Sequence, residues 1–328
     1  MTFEALENTT FTFSKNDLQY SIDNGVTWAT LVKGTASPTI NAGSKIMWKQ
    51  TGLTPTSDGI GTFSSTGNFI AQGNVMSLYY GDDFIGQTDL TGKNYAFNNL
   101  FNGCSKLVGT KDLSLPATVL ATYCYSNMFR DCSSLTSAPQ LPATTLADGC
   151  YRYMFNGCTA LISAPELPAI TLADYCYYYM FQDCTSLTSV PELPATTLAL
   201  ACYFGIFRNC TALTSAPKLP ATTLAQNCYA QMFQDCTSLA SAPELPAITL
   251  VNQCYDSMFK GCSNLNYIKA LFTTKPSNIY TQFWVSSVAA SGTFVKNNAA
   301  QWNVIGNNGI PTGWNAYTES KYEVVRQY

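Results

Sequence analysis

The order Cys-Tyr-x-x-Met-Phe-x-(Asp/Asn/Gly)-Cys returns every 26 residues through the middle of this 328-residue chain. A fixed period of that length restricts the fold to a stack of similar coils, each burying its apolar side chains against its neighbours. The first cysteine recurs at Cys124, Cys150, Cys176, Cys202, Cys228 and Cys254, and the second at Cys132, Cys158, Cys184, Cys210, Cys236 and Cys262. Cys104 belongs to the second column, two residues early. It closes a leading coil in which Ala96-Phe97 take the Cys-Tyr places and Leu100-Phe101 the Met-Phe places. Atypical terminal copies are how such arrays are capped.

Within a coil, Cys176, Met180 and Cys184 stand four apart, with Tyr177 and Phe181 beside them. That spacing predicts one apolar stripe on a short helix. The residue before the second cysteine is Gly103, Asp131, Gly157, Asp183, Asn209, Asp235 or Gly261, types that tolerate a left-handed backbone and so end a helix. Next comes a β-branched and small segment such as Cys184 to Val190, with Leu187 and its equivalents inward, which predicts a short parallel strand. Two proline columns, represented by Pro191 and Pro194, then hold the return path extended.

The run Met180-Phe181-Gln182-Asp183-Cys184-Thr185-Ser186-Leu187-Thr188-Ser189, repeated over residues 96 to 268 with a proline-bearing return, resembles the BspA-like leucine-rich repeat surface proteins of the 26-residue-repeat bacterial type, or a phage-borne relative of them. The resemblance implies a curved solenoid at a surface that binds host proteins, other cells or glycans. The second cysteine column and the Leu-Pro-Ala-Thr-Thr-Leu return depart from the commoner family pattern.

The expected architecture is therefore an α/β repeat solenoid, a leucine-rich-repeat-like right-handed coil with short parallel strands and short helices. Residues 1–80 read as a small antiparallel β unit, 81–272 as about seven coils, and 273–328 as an irregular cap and tail. In the first segment, Leu18, Tyr20 and Ile22, then Val26 and Trp28 around Asp23-Asn24-Gly25, signal a hairpin. Strand-like runs follow at 45–49, 59–63, 68–71 and 75–80. In the last segment the period breaks after Phe272, with a helix expected near 279–288 and a strand near 293–296. The tail beyond Trp314 fits either a free strand or an attachment arm.

Charged residues are only 11% of the chain, the net charge is −3, and no run of Lys or Arg occurs, so nothing predicts nucleic acid as a partner. No stretch reaches the roughly 18 apolar residues of a membrane span, and membrane insertion is not expected. The first residues, Met1 to Glu7, lack the basic and apolar regions of a secretory signal. That leaves a signal removed beforehand, or a protein made in the cytosol and released with a virion.

The thirteen cysteines read as reduced core residues. Two in one coil are eight apart, roughly 12 Å along a helix, beyond disulfide reach. With no His and no Cys-x-x-Cys, neither a zinc site nor a Cys-His or Ser-His-Asp centre is expected. Glu166, Glu192 and Glu244 share a column, but Gln140 and Lys218 interrupt it, so it reads as a solvated edge. No catalytic residue, metal or cofactor is expected.

Variation among copies points instead to a binding face. Positions off the stripe change freely, and the middle coils place Arg152, Tyr153, Tyr175, Tyr178, Tyr179, Phe204 and Arg208 on adjacent turns. Tyr and Arg are the residue types that dominate protein recognition, and the rings also suit sugars. The expectation is a non-catalytic recognition or adhesion protein on the exterior of a bacterial cell or phage particle, its partner a protein or glycan on a cell surface. The alternative is a structural virion part, a fibre or capsid decoration touching neighbouring virion proteins and binding no ligand of its own.

Overall fold

The computed structural model describes residues 1–110 and 112–326, in two compact units divided between Glu166 and Leu167. In the first unit, β1 (Thr2–Ala5), β3 (Leu18–Ser21), β4 (Ala29–Leu31), β5 (Lys45–Lys49) and β7 (Phe69–Asn74) form an antiparallel sheet in the order β4-β3-β5-β1-β7. β2 (Phe11–Phe13) pairs separately with β6 (Phe63–Ser65). Every second residue of β1 and β2 is buried. The Phe3 ring lies 4.8–5.8 Å from Phe11, Trp48, Phe63, Phe69 and Phe101. Because Phe101 belongs to the leading coil, sheet and coil share one aromatic interior. β7 also pairs in parallel with β8 (Leu107–Gly109) and β9 (Leu113–Ser114), so the last strand of the sheet substitutes for a preceding coil.

The hairpin forms between β3 and β4, closed by the Asp23 carboxylate, which accepts both the backbone N–H and the hydroxyl of Thr27. Those bonds hold Asp23 down at about 2. Ile22 and Val26 stay exposed in the loop. The strand expected at 75–80 is instead a helical turn, α1 (Ser77–Tyr80). Val75 to Tyr79 are all buried, and that unbroken burial lacks the alternation of a half-buried strand.

The larger correction concerns the repeats, whose cysteine-rich segments are not helices. In the coil of Cys124, the N–H groups of Cys124, Ser126 and Met128 each turn back three residues, to the carbonyls of Ala121, Tyr123 and Tyr125 at 3.2 Å. The N–H groups between them, of Tyr123, Tyr125, Asn127 and Phe129, donate to Asp148, Cys150, Arg152 and Met154 of the next coil at 2.8–2.9 Å. An α-helix would use these donors internally, four residues back. Here every second donor leaves the coil. The result is a ribbon of successive tight turns whose period is four residues, not 3.6. Every fourth residue takes a left-handed backbone: Tyr123, Asn127 and Asp131 have φ of 54°, 54° and 58°, and Tyr175, Tyr179 and Asp183 have 55°, 51° and 62°.

The ribbon sets the core. Tyr125 stacks on Tyr151 at 5.8 Å and Phe129 on Phe155 at 5.4 Å in the first unit. Tyr177, Tyr203, Tyr229 and Tyr255 form a second file in the other unit, spaced 5.6–6.0 Å. All thirteen cysteines are buried. Those of the second column have a directional role as well as a volume: the thiols of Cys132, Cys158, Cys210, Cys236 and Cys262 point at Phe carbonyls of the preceding coil at 2.9–3.1 Å. S–H donors are weak, but each gives a buried carbonyl a further partner.

The parallel strand expected in each coil is mostly absent. Prolines remove donors that a ladder needs, and most cross-coil pairing along the returns shrinks to isolated bridges such as Val119 with Thr145 and Thr171 with Thr197. Where the prolines stop, continuous strands appear. β10 (Tyr267–Ala270), β11 (Thr293–Lys296) and β12 (Asn315–Thr318) make a parallel three-stranded sheet, followed by α2 (Glu319–Val325). Nor is there a helix at 279–288. Gln253, Tyr255, Ser257 and Phe259 donate to Ile279, Tyr280, Gln282 and Trp284, and Phe283 and Ser287 are left-handed. Ribbon geometry therefore continues past Phe272 without its cysteines, and buried Trp284 fills a Met place. Of the tail, Asn315 to Thr318 form a paired strand.

Burial pushes the thiols of Cys150, Cys202, Cys236 and Cys254 up to about 12. Below pH 9 these groups are protonated in folded and unfolded chains alike, and their contribution to stability is complete. Above pH 9 the unfolded chain ionises first, so each such thiol withdraws about 1.4 kcal/mol per pH unit until the folded value is reached. The expected result is a melting temperature that falls steeply between pH 9 and pH 12, read by circular dichroism; an unchanged value across that window would contradict a sealed sulfur core.

Candidate recognition surface

The turn ribbon points two residues of every four inward and leaves the left-handed position and one neighbour facing outward. Arg152, Tyr153, Tyr175, Tyr178, Tyr179, Phe204 and Arg208 all lie on such ribbons, and all are half-buried rather than fully exposed. They fall into two groups, one in each unit.

In the first unit, the Tyr153 ring lies 5.4 Å from the Arg130 guanidinium and 5.1 Å from that of Arg152, within cation–π range. Arg152 also interacts with Tyr123; burial works against its charge, but the contacts to Tyr153 and Tyr123 outweigh it and raise its pKa. In the second unit, Tyr178 stacks on Phe204 at 5.0 Å, meets Tyr179 edge-on at 4.6 Å, and meets Tyr175 edge-on at 5.7 Å. Arg208 Nη1 donates to Gln231 Oε1 at 3.3 Å and lies 3.5 Å from the Tyr179 hydroxyl.

Tyr179 is held differently from its neighbours. Its hydroxyl donates to Gln231 Oε1, two coils along, at 2.7 Å. Its ring crosses Gly205, where a Cβ would come within 2.3 Å of the ring. The same arrangement recurs at Tyr123, where a Cβ on Gly149 would come within 2.2 Å. In both cases Gly follows Tyr by 26 residues and Arg follows Gly by three, giving Tyr123, Gly149, Arg152 and Tyr179, Gly205, Arg208. A bulky residue with positive φ is unusual; the ring compensates by lying flat in space the next coil leaves empty.

The column before the second cysteine obeys a related rule. Asp131 Oδ1 occupies the place a Cβ of Gly157 would take, Asp235 Oδ1 does the same above Gly261, and Asn209 Nδ2 donates to Asp183 Oδ1 at 2.8 Å. These residues are therefore cross-coil contacts and one left-handed position among three per ribbon, not helix stops. Gln231 and Arg130 belong to the surface, and the two glycines, themselves buried, make room for the rings that cross them, but none of the four stands out when each coil is taken alone. Reading the columns as pairs 26 residues apart would have found them.

The profile of the BspA type leucine-rich repeat region matches residues 93–191 and 171–291, in six copies. The chain belongs to the BspA-type leucine-rich repeat family. Members of this family are typically surface-exposed recognition and adhesion proteins and are generally not enzymes. No curated protein matches the chain. Among the described residues no helix is long and apolar enough to cross a membrane, and no group of His, Cys, Asp or Glu is arranged to hold a metal.

Gly205→Ala tests the ring-over-glycine packing. Left-handed strain and displacement of the Tyr179 ring together should cost about 1–3 kcal/mol in urea unfolding; a neutral substitution would mean that the ring does not lie there.

Proposed function

We propose that this protein is a non-catalytic recognition or adhesion molecule displayed on the exterior of a bacterial cell or virion, and that it binds a protein or glycan through the ribbon face of its coils. The observation that carries this reading is the Tyr175, Tyr178, Tyr179 and Phe204 cluster with Arg208 beside it. Four rings already fixed against one another lose little conformational freedom on binding. Arg208 and the outward Tyr edges add hydrogen-bonding groups to an apolar patch. Single exposed aromatics need no explanation, but an interlocked cluster next to a cation fits the centre of an interface.

Family membership supports the reading, as does the low surface charge, which leaves shape and hydrogen bonding rather than long-range attraction to select the partner. Arg152 and Tyr153 offer a second aromatic–cation group of the same chemistry. Tyr179 has a structural part to play, so the test leaves it in place. A Tyr178→Ala/Phe204→Ala variant should keep its melting temperature within a few degrees. It should bind at least tenfold more weakly to epithelial-cell monolayers or to the glycans retained on a printed array. Equal binding by variant and wild type would exclude this cluster.

A further inference from the structure

Among the described residues, the return path of one coil differs from the others. From Thr214 to Leu224 no backbone N–H or carbonyl bonds to another backbone group. The one hydrogen bond there is the Lys218 N–H to Glu192 Oε2 at 3.1 Å. Equivalent stretches are tied: Thr145 donates to Thr118, Thr196 and Thr197 to Ile170, and Thr273 to Ile248. The adjoining return, from Pro243 to Val251, is bonded on its far side, where Leu245 N–H donates to Lys269 and Leu271 N–H to Leu245. Two cavities open along the unbonded side. One, of about 310 Å³, has Pro217, Lys218 and Pro220 facing Pro243, Glu244 and Pro246. The other, of about 410 Å³, has Thr222 to Leu224 facing Ile248, Thr249 and Val251.

We propose that this inter-coil cleft is a docking groove for an extended peptide segment that carries a bulky apolar side chain next to a carboxylate. Three observations select that occupant. The unpaired backbone of 214–224 offers the donors and acceptors that an added strand would use, and main-chain pairing of this kind supplies affinity while alternate side chains supply specificity. The proline rings give the first cavity rigid apolar walls suited to an aromatic or branched side chain. The lining offers one cation: Glu244 is paired with Lys269 at 3.1 Å and the Glu192 carboxylate accepts the Lys218 N–H, whereas the Lys218 side chain, which lines the first cavity, makes no ion pair among the described residues. No residue of the aromatic cluster takes part, so this site and that one can fail separately.

The test uses the full chain and a fluorescein-labelled peptide, acetyl-Glu-Phe-Thr-Val-Glu-Phe-amide, followed by fluorescence anisotropy. A second peptide is N-methylated at alternate residues and cannot pair through its backbone. Saturable binding of the first peptide is expected. It should weaken about tenfold with K218E and vanish for the N-methylated peptide, with slower amide hydrogen exchange confined to 218–224 and its neighbouring return. An unchanged K218E melting curve separates loss of the site from loss of fold. Absence of saturable binding at millimolar peptide, equal binding of both peptides, or protection elsewhere in the chain would each overturn the proposal.

Discussion

Within each unit, a coil gives every second backbone N–H of its cysteine-rich segment to the coil that follows, and the rest of the structure depends on that division. A helix satisfies its donors internally and relies on side chains to hold its neighbours. The ribbon keeps half its hydrogen bonds for local turns and uses the other half as lateral links, so neighbours are joined by backbone as well as by apolar contact. The arrangement requires a left-handed residue every four positions, at an intrinsic cost of roughly 1–2 kcal/mol for a residue other than glycine. Adjacent coils offset that cost with packing: a ring over a glycine, or a carboxylate over a glycine or asparagine.

The same division explains the composition of the core. Because ribbons stack in register, equivalent side chains form files, and stacked aromatic rings are favourable at the 5.4–6.0 Å spacing of the Tyr and Phe files. Cysteine suits the remaining places because it is small, apolar enough to bury, and able to donate to a carbonyl of the preceding coil. Burial keeps the thiols protonated, which that donation needs.

Cohesion is weaker along the return paths, where prolines remove donors and bridges replace ladders. One consequence is that the surface has two kinds of place for a partner. The ribbon face carries side chains fixed by cross-coil packing, and the 214–224 return carries backbone groups that the fold itself leaves unpaired. The first suits recognition by side chains, the second recognition by an added strand.

The repeat period, the inward columns and the β-rich first segment were legible in the residues themselves, since burial imposes a pattern that needs no coordinates to see; the period also put Tyr175, Tyr178, Tyr179, Phe204 and Arg208 on adjacent turns, but not the contacts they make with one another. The helix expected from Cys176, Met180 and Cys184 was a misreading of a real signal: over two turns a spacing of four cannot be told from 3.6, and only the left-handed residues at every fourth place separate them. The partners across coils were decided by tertiary structure. Tyr179 reaches Gln231 over Gly205, and Trp284 continues a ribbon that has lost its cysteines, because those choices depend on which atoms the neighbouring coil places within reach. Sequence determined the period and the interior; stacking determined where the backbone donors go, and so which surface groups are held and which are left open.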